Sequence, residues 1–379
     1  MNQLVFNPNR LKLARARRAL TIKALAEVIG MTSRIVSEYE SGRQKPPSST
    51  LKNIAQALNY PEAFFIGEDI EELNYECVSF RSMKAMTASQ RNAALAAAQI
   101  AMLFNDWLEA NFELPTSNLC NFRESEIENP ETAARVLREK WGLGELPIKN
   151  MVHLLEAKGV KVFSLAEKNR EVDAFSFWKN ETAFIFLNTQ KSAERSRFDA
   201  AHELGHLVLH KHGIQVSEDK RAVEREADKF ASAFLMPESS VRAKAPLFAT
   251  IENLTQLKKL WLVSIASLVR RLYDLGLITE WHYRTLNIEM SKRGMLKREP
   301  EGIIKEKSQI IEKTLKSLWK EGITRKDIAQ QLYLPIEEID QLAFIGLSIG
   351  NDDSSEFNIL KKPKPELQIV KPRFSPFKK

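Results

Sequence analysis

The sequence predicts a mainly α protein with one small β-sheet, an α+β architecture spread over several domains. Three observations carry that expectation. At 379 residues the chain exceeds what one ordinary core accommodates. Capped helical runs fill residues 10–66 and recur between 254 and 343, whereas β-branched and aromatic strand-like runs are confined to VKVFSL, AFSFWK and TAFIFLN, between residues 160 and 188. Directly after those strands comes the apolar helix of SRFDAAHELGHLVLH, around which the rest is organised.

Composition narrows the function classes. Hydrophobic residues at 44% and charged residues at 28% are those of a water-soluble globular chain. The N-terminus turns basic before any long apolar stretch, so no leader peptide is expected. The most apolar helix candidate, Asn92–Phe112, carries Gln99, Asn105, Asp106 and Glu109; it predicts a helix buried between domains rather than a membrane span. Cys77 and Cys120 form no CxxC pair, which excludes a disulfide framework and a thiolate metal site and suits a reducing cytoplasm. The net charge is +7, and residues 1–60 account for all of it, with ten Lys and Arg against three Glu.

In chain order, Arg10–Ala19 reads as the first helix. Thr21 caps a second that ends at Gly30, and Thr32 or Ser33 caps a third, stopped at Gly42. After Pro46-Pro47 a fourth runs through LKNIAQALNY to Pro61. Leu25, Ala26, Ile29, Ile35 and Val36 stand where two helices joined by a three-residue turn share a core, the spacing of a helix-turn-helix. A recognition helix presents its N-terminal residues to base edges, here Thr32, Ser33, Arg34 and Ser37, while Arg43 and Lys45 on the next loop reach phosphates. LAEVIGMTSRIVSEYESGRQKPPSSTLKNIAQAL resembles the Xre-type, lambda-repressor-like family, with its Leu-Ala pair, Gly turn and Ser-x-Tyr-Glu-x-Gly ending. That resemblance implies binding to double-stranded operator DNA, commonly as a homodimer.

Residues 69–126 read as a helical connector with no nameable chemistry. Residues 127–190 read as the support of a site. A helix Glu131–Trp141 ends at Gly142 and a helix Pro147–Lys158 at Gly159; a small antiparallel sheet follows, with a hairpin at Asn180-Glu181. The edge of such a sheet can hold an extended substrate strand through main-chain hydrogen bonds.

The chemistry concentrates in Ser196–Met236. His202 and His206, four residues apart, share one helix face and can grip one Zn²⁺, with Glu203 poised as general base. Gly205 is expected to leave room beside the ion. A catalytic zinc needs a third protein ligand, and EREADKFASAFLMP offers Glu224, with Asp228 one turn later to steady a ligand imidazole. Glu226 competes for the ligand role but points about 200° away from Glu224 on a 3.6-residue helix. His210 and His212 extend the cluster; His210 shares the metal face and is expected to support a ligand or steady a developing oxyanion.

FDAAHELGHLVLH, EREADKFASAFLMP, the upstream WGLGELPIKNMVHLLEAKGVKVF and the downstream LWLVSIASLVRRLYDLGLI together resemble the ImmA/IrrE family of metallo-endopeptidases, over roughly residues 70–300. The resemblance implies a zincin-like minimal metallopeptidase core, with His202, His206 and Glu224 as ligands of one Zn²⁺, or Mn²⁺ in its place. It implies Glu203 as catalytic base and an Xre-type repressor as the protein substrate.

Beyond the core, residues 246–300 contain a helix pair read as a cap beside the site. Residues 301–347 contain another, ITRKDIAQQLYLPIEEIDQLA, whose second helix carries Glu337, Glu338 and Asp340; that acidity disfavours DNA and favours protein docking. Residues 348–379 read as a basic tail without a core. The expected organisation is therefore a helix-turn-helix domain over 1–68, the connector over 69–126, a metallopeptidase-like domain over 127–245, then cap, docking module and tail. Two functions fit: a DNA-tethered zinc endopeptidase making a regulatory cut, or a non-proteolytic regulator or antitoxin that uses the peptidase fold as a sensor.

Overall fold

The computed structural model describes residues 5–73, 78–80, 87–119, 129–165, 174–210 and 220–345. Cys77, Cys120, His212 and the tail expected over 348–379 lie outside them. The architecture is mainly helical with one small sheet. Among the described residues no helix is long and apolar enough to cross a membrane.

Local capping sets the N-terminal helices. Asn7 Oδ1 accepts from the amides of Asn9 and Arg10 to open α1 (Pro8–Arg17), Thr21 opens α2 (Ile22–Val28), and Thr32, not Ser33, opens α3 (Ser33–Glu40). Gly30 and Gly42 turn the chain at φ +67° and +71°, where a Cβ would be strained. The fourth helix, α4 (Ser48–Leu58), begins at Ser48, ahead of the expected Leu51, because Pro47 supplies its cap position. A 3-10 turn at Glu62–Ile66 closes the unit over Leu11, Leu25, Val36, Ile54, Phe64 and Phe65. Helix α5 (Ala88–Asn111), opened by a Thr87/Gln90 capping box, packs on α1 with a run of buried alanines.

The sheet has strand order β1-β3-β4-β2, formed by β1 (Val78–Phe80), β2 (Lys161–Leu165), β3 (Ala174–Lys179) and β4 (Thr182–Asn188). The expected antiparallel sheet is instead mixed. β1/β3 and β3/β4 are antiparallel while β2 runs parallel to β4, because the hairpin after β3 brings β4, not β3, against β2. Alternation divides the two faces. Phe163, Phe175, Phe177, Phe184 and Phe186 form one face, with Phe175–Phe186 ring centroids 4.7 Å and Phe177–Phe184 5.2 Å apart. Val162, Ala174, Ile185 and Leu187 form the other.

Helices cover both faces. α6 (Pro130–Lys140) and α7 (Met151–Ala157) precede β2; α7 starts four residues later than expected, because the Asn150 side chain caps it by accepting from His153 N. α8 (Ala193–Leu209) lies on the aliphatic face through Ala200, Ala201 and Leu204, and α9 (Lys220–Leu235) packs along α8. Then come α10 (Glu238–Lys244), α11 (Ile251–Trp261), α12 (Ile265–Asp274) and α13 (Glu280–Lys292). The phenyl face is covered by Phe104 of α5 and by the C-terminal helices α14 (Gln309–Lys320), α15 (Arg325–Gln331) and α16 (Ile336–Leu342).

Those last helices dock on this chain's own first domain. Glu338 of α16, 1% exposed, accepts from Arg17 Nε at 2.9 Å, Arg18 Nη1 at 2.8 Å and Tyr60 Oη at 3.1 Å. Glu156 of α7 accepts from the Ser308 hydroxyl and from the amides of Gln309 and Ile310, at 2.8 and 3.2 Å, and so caps α14. The acidic helix expected to dock protein thus has Glu338 engaged within this chain.

Candidate metal centre and nucleic-acid interface

The HExxH run lies in the middle of α8, where the helix crosses the core. His202, Glu203 and His206 are buried, at 0%, 0% and 4% exposure. Helix α9 supplies the carboxylates. Its approach is close because position 205 is glycine: a Cβ there would lie 3.1 Å from Phe230 and 3.3 Å from the Ala227 backbone. This corrects the expectation for Gly205, which makes room for α9 and not for an ion.

Three donor atoms converge. His202 Nε2 and His206 Nε2 are 3.0 Å apart, and the two Glu224 oxygens lie 3.4 Å from the first and 3.5 Å from the second. Ligand bonds of about 2.05 Å in a tetrahedral site place donors about 3.3 Å from one another, so this set has the dimensions of a zinc triad. Two side chains orient the imidazoles from behind. Asp228 Oδ1 is 2.9 Å from His202 Nδ1, which holds that ring with its proton on Nδ1 and frees Nε2. His206 Nδ1 is 3.2 Å from His210 Nδ1, and His210 Nε2 is 3.1 Å from Glu226 Oε2. Glu226 thereby ends a chain behind His206, away from the donor triad, and both nitrogens of His210 face partners, which leaves no ring N–H for an oxyanion.

Electrostatics match that geometry. Burial pushes His206 down to about 4, so it is neutral at pH 7. Burial alone would raise Glu224, but hydrogen bonds from His202 and His206 outweigh it and bring the carboxyl down to about 2. A neutral His206 beside an ionised Glu224 has the protonation states that a divalent ion requires of these two groups. Burial pushes Glu203 up to about 7, against the pull of His202 and a hydrogen bond from Ser176. Ser176 Oγ donates to Glu203 Oε2 at 2.7 Å, whereas Glu203 Oε1 is buried without a hydrogen-bond partner. A buried, unsatisfied carboxylate oxygen beside three converging donors fits a site built for an ion and a polar reactant.

Ser176 is the residue sequence reasoning missed. It sits between Phe175 and Phe177, so alternation alone puts it on the helix face of the sheet, but nothing in the sequence says which helix residue it meets.

At the other end of the chain, Thr32, Ser33, Arg34, Ser37, Arg43 and Lys45 are all exposed, while Val36 and Tyr39 of the same helix are buried. The Thr32 hydroxyl is engaged in capping, accepting from Ile35 N at 3.4 Å, and Arg34 Nε lies 3.0 Å from Glu38. Arg15 holds α3 to α1 through both Glu40 oxygens. Of the ten basic residues in this segment, Arg10, Arg15, Arg17 and Arg18 are committed to internal partners, so the charge available to a ligand is smaller than the sequence total.

Residues 11–65, which span α1 to the 3-10 turn, match the family model described as helix-turn-helix, and residues 155–273, from α7 into α12, match the peptidase-family model described as the IrrE N-terminal-like domain. Two curated proteins, an uncharacterized HTH-type transcriptional regulator of Sinorhizobium medicae and one of Rhizobium meliloti, are each 35% identical to this chain over 57 residues. That stretch is 15% of this chain and 41% of either relative, so this chain spans less than half the length of the relatives it matches.

Proposed function

We propose that this chain is a DNA-binding transcription regulator whose central domain is a zinc-dependent endopeptidase that makes a regulatory cut in a repressor-type protein. The observation that carries this reading is the donor triad of His202, His206 and Glu224, 3.0 to 3.5 Å apart, beside a fully buried glutamate with one unpartnered oxygen. These three residues would hold Zn²⁺, or Mn²⁺ in its place. A bound zinc ion supplies Lewis acidity, acidifying water and polarising a peptide carbonyl.

The chain's own residues do the rest. Glu203, shifted toward neutrality by burial, takes a proton from the attacking water and returns it to the departing amine. Ser176 fixes Oε2 and so leaves Oε1 for that transfer. Asp228 and the His210–Glu226 pair keep the two imidazoles presenting Nε2. Complete burial of Glu203 limits water around it.

The exposed face of α3 brings this site to double-stranded operator DNA, with Ser33, Arg34 and Ser37 toward base edges and Arg43 and Lys45 toward phosphates. A homodimer would read two half-sites. Tethering then raises the effective concentration of peptidase near a repressor seated on the same DNA. The test is to mix the purified zinc-loaded chain with an Xre-type repressor and follow fragments on a gel. The parent cuts; Glu203→Gln retains zinc and does not. Equal cleavage by the two proteins would remove Glu203 from its role.

A further inference from the structure

Strand β3 borders the candidate metal centre, because its Ser176 touches the Glu203 carboxylate. One edge of β3 pairs with β4; the other is where an extended polypeptide would add a strand through its main chain. That second edge is filled. Val78, Ser79 and Phe80 pair antiparallel with Phe177, Ser176 and Phe175, which sets Ser79 directly across from the residue that touches Glu203. The chain on either side of β1 is fastened to the same strand, since Lys179 Nζ lies 3.0 Å from Glu71 and 3.7 Å from Asp106 of α5.

We infer that β1 is a resident occupant of the polypeptide-binding edge, held in cis where the chain to be cut must lie, and that a partner polypeptide engages the site by displacing it. The regulatory meaning rests on the peptidase reading; the strand exchange itself does not. The geometry favours exchange. Among the described residues β1 pairs with three residues of the six-residue β3, so an extended segment that pairs along all of Ala174–Lys179 forms more main-chain bonds than those three residues give up. A folded protein with no free strand cannot make that trade. The site therefore selects extended segments of about six residues, the length of β3. β1 also lies between the helix-turn-helix domain and α5, which packs on α1, so its displacement acts on the connection to the DNA-reading domain. By linkage, DNA and partner polypeptide alter each other's affinity.

The test uses the full zinc-loaded chain and β-casein, a polypeptide without fixed structure. Binding is read by anisotropy of fluorescein-labelled casein in the Glu203→Gln background, where nothing is cut, and hydrolysis is read on a gel with Glu203 intact. Ser79→Pro and Phe80→Pro each remove one amide, and only one of two neighbouring amides in a strand faces β3. One of these variants is expected to bind casein about fivefold more tightly or better, the scale of one main-chain hydrogen bond. Unchanged binding in both, with helical circular dichroism at the parent level, overturns the inference. Should both variants fail to fold, amide exchange on Glu203→Gln alone decides: saturating casein must accelerate exchange at residues 78–80, and unaltered exchange refutes displacement. Tighter casein binding with no hydrolysis by any chain keeps the resident strand and removes the peptidase reading.

Discussion

Gly205 separates two demands that the HExxH motif leaves mixed. It permits contact between α8 and α9, so Gly205→Ala is expected to destabilise the fold by about 1–3 kcal/mol, as overpacking does, read as a lower midpoint in urea. His202→Ala, in contrast, removes a donor with little change in packing density elsewhere; zinc content measured after dialysis should fall well below one per chain, and full occupancy would contradict the triad. The pairing of two imidazoles was legible because helical periodicity fixes i and i+4. That only one of Glu224 and Glu226 can face the two imidazoles was legible for the same reason, and Asp228, on the same face as Glu224, pointed to Glu224. Asp228 was expected behind a ligand imidazole, but which ring it meets and what Glu226 meets were not legible. That Asp228 meets His202 while Glu226 meets His210 depends on how α9 is rotated against α8, and that rotation is set by Gly205, Ala227 and Phe230 in three dimensions.

At the scale of elements, cap residues mark boundaries well. Thr21, Thr32 and Gly30 place the N-terminal helices to within a residue or two, whereas α7 begins at its Asn150 cap and not at Pro147. Strand β1 escaped notice because three residues carry no periodicity; it exists through pairing with β3 alone. Helix α3 is presented by the Arg15–Glu40 pair, so Arg34→Ala, which touches neither, should weaken operator binding and relax base preference at one position without loss of helicity. Helix α14 depends on a carboxylate in a less ordinary state. Burial pushes Glu156 from 4.5 up to about 7, despite three donors. A raised folded-state pKa means that the protonated form is favoured in the fold, so this contribution is complete below about pH 4.5 and is lost as pH rises through about 7. Between pH 5 and 8 the parent should lose stability relative to Glu156→Gln, by about 3 kcal/mol at most, measured by chemical denaturation at each pH.

For the whole molecule, the C-terminal helices and the first domain are joined through one buried acid. Glu338→Ala leaves Arg17 buried beside the remaining Gln341, which should cost about 2–4 kcal/mol and expose residues 325–342 to amide exchange; unchanged exchange there would show that the contact does not hold the module. The sequence marked α16 as acidic and ready for a protein partner but could not place that partner within the chain, because ion pairs some 320 residues apart leave no local trace.

The phenyl face of the sheet bears on inheritance as well as stability. Five phenylalanines point away from the metal centre, and their cover comes from α5 on one side of the sequence and from α14 to α16 on the other. A gene segment encoding residues 127–300 alone would carry every group of the candidate site and yet uncover that aromatic surface, so the corresponding recombinant fragment should be insoluble, while the full chain should not. The unit able to pass intact from one protein lineage to another is therefore larger than the chemistry it contains, and the segments that look like appendages in the sequence travel with it as its roof.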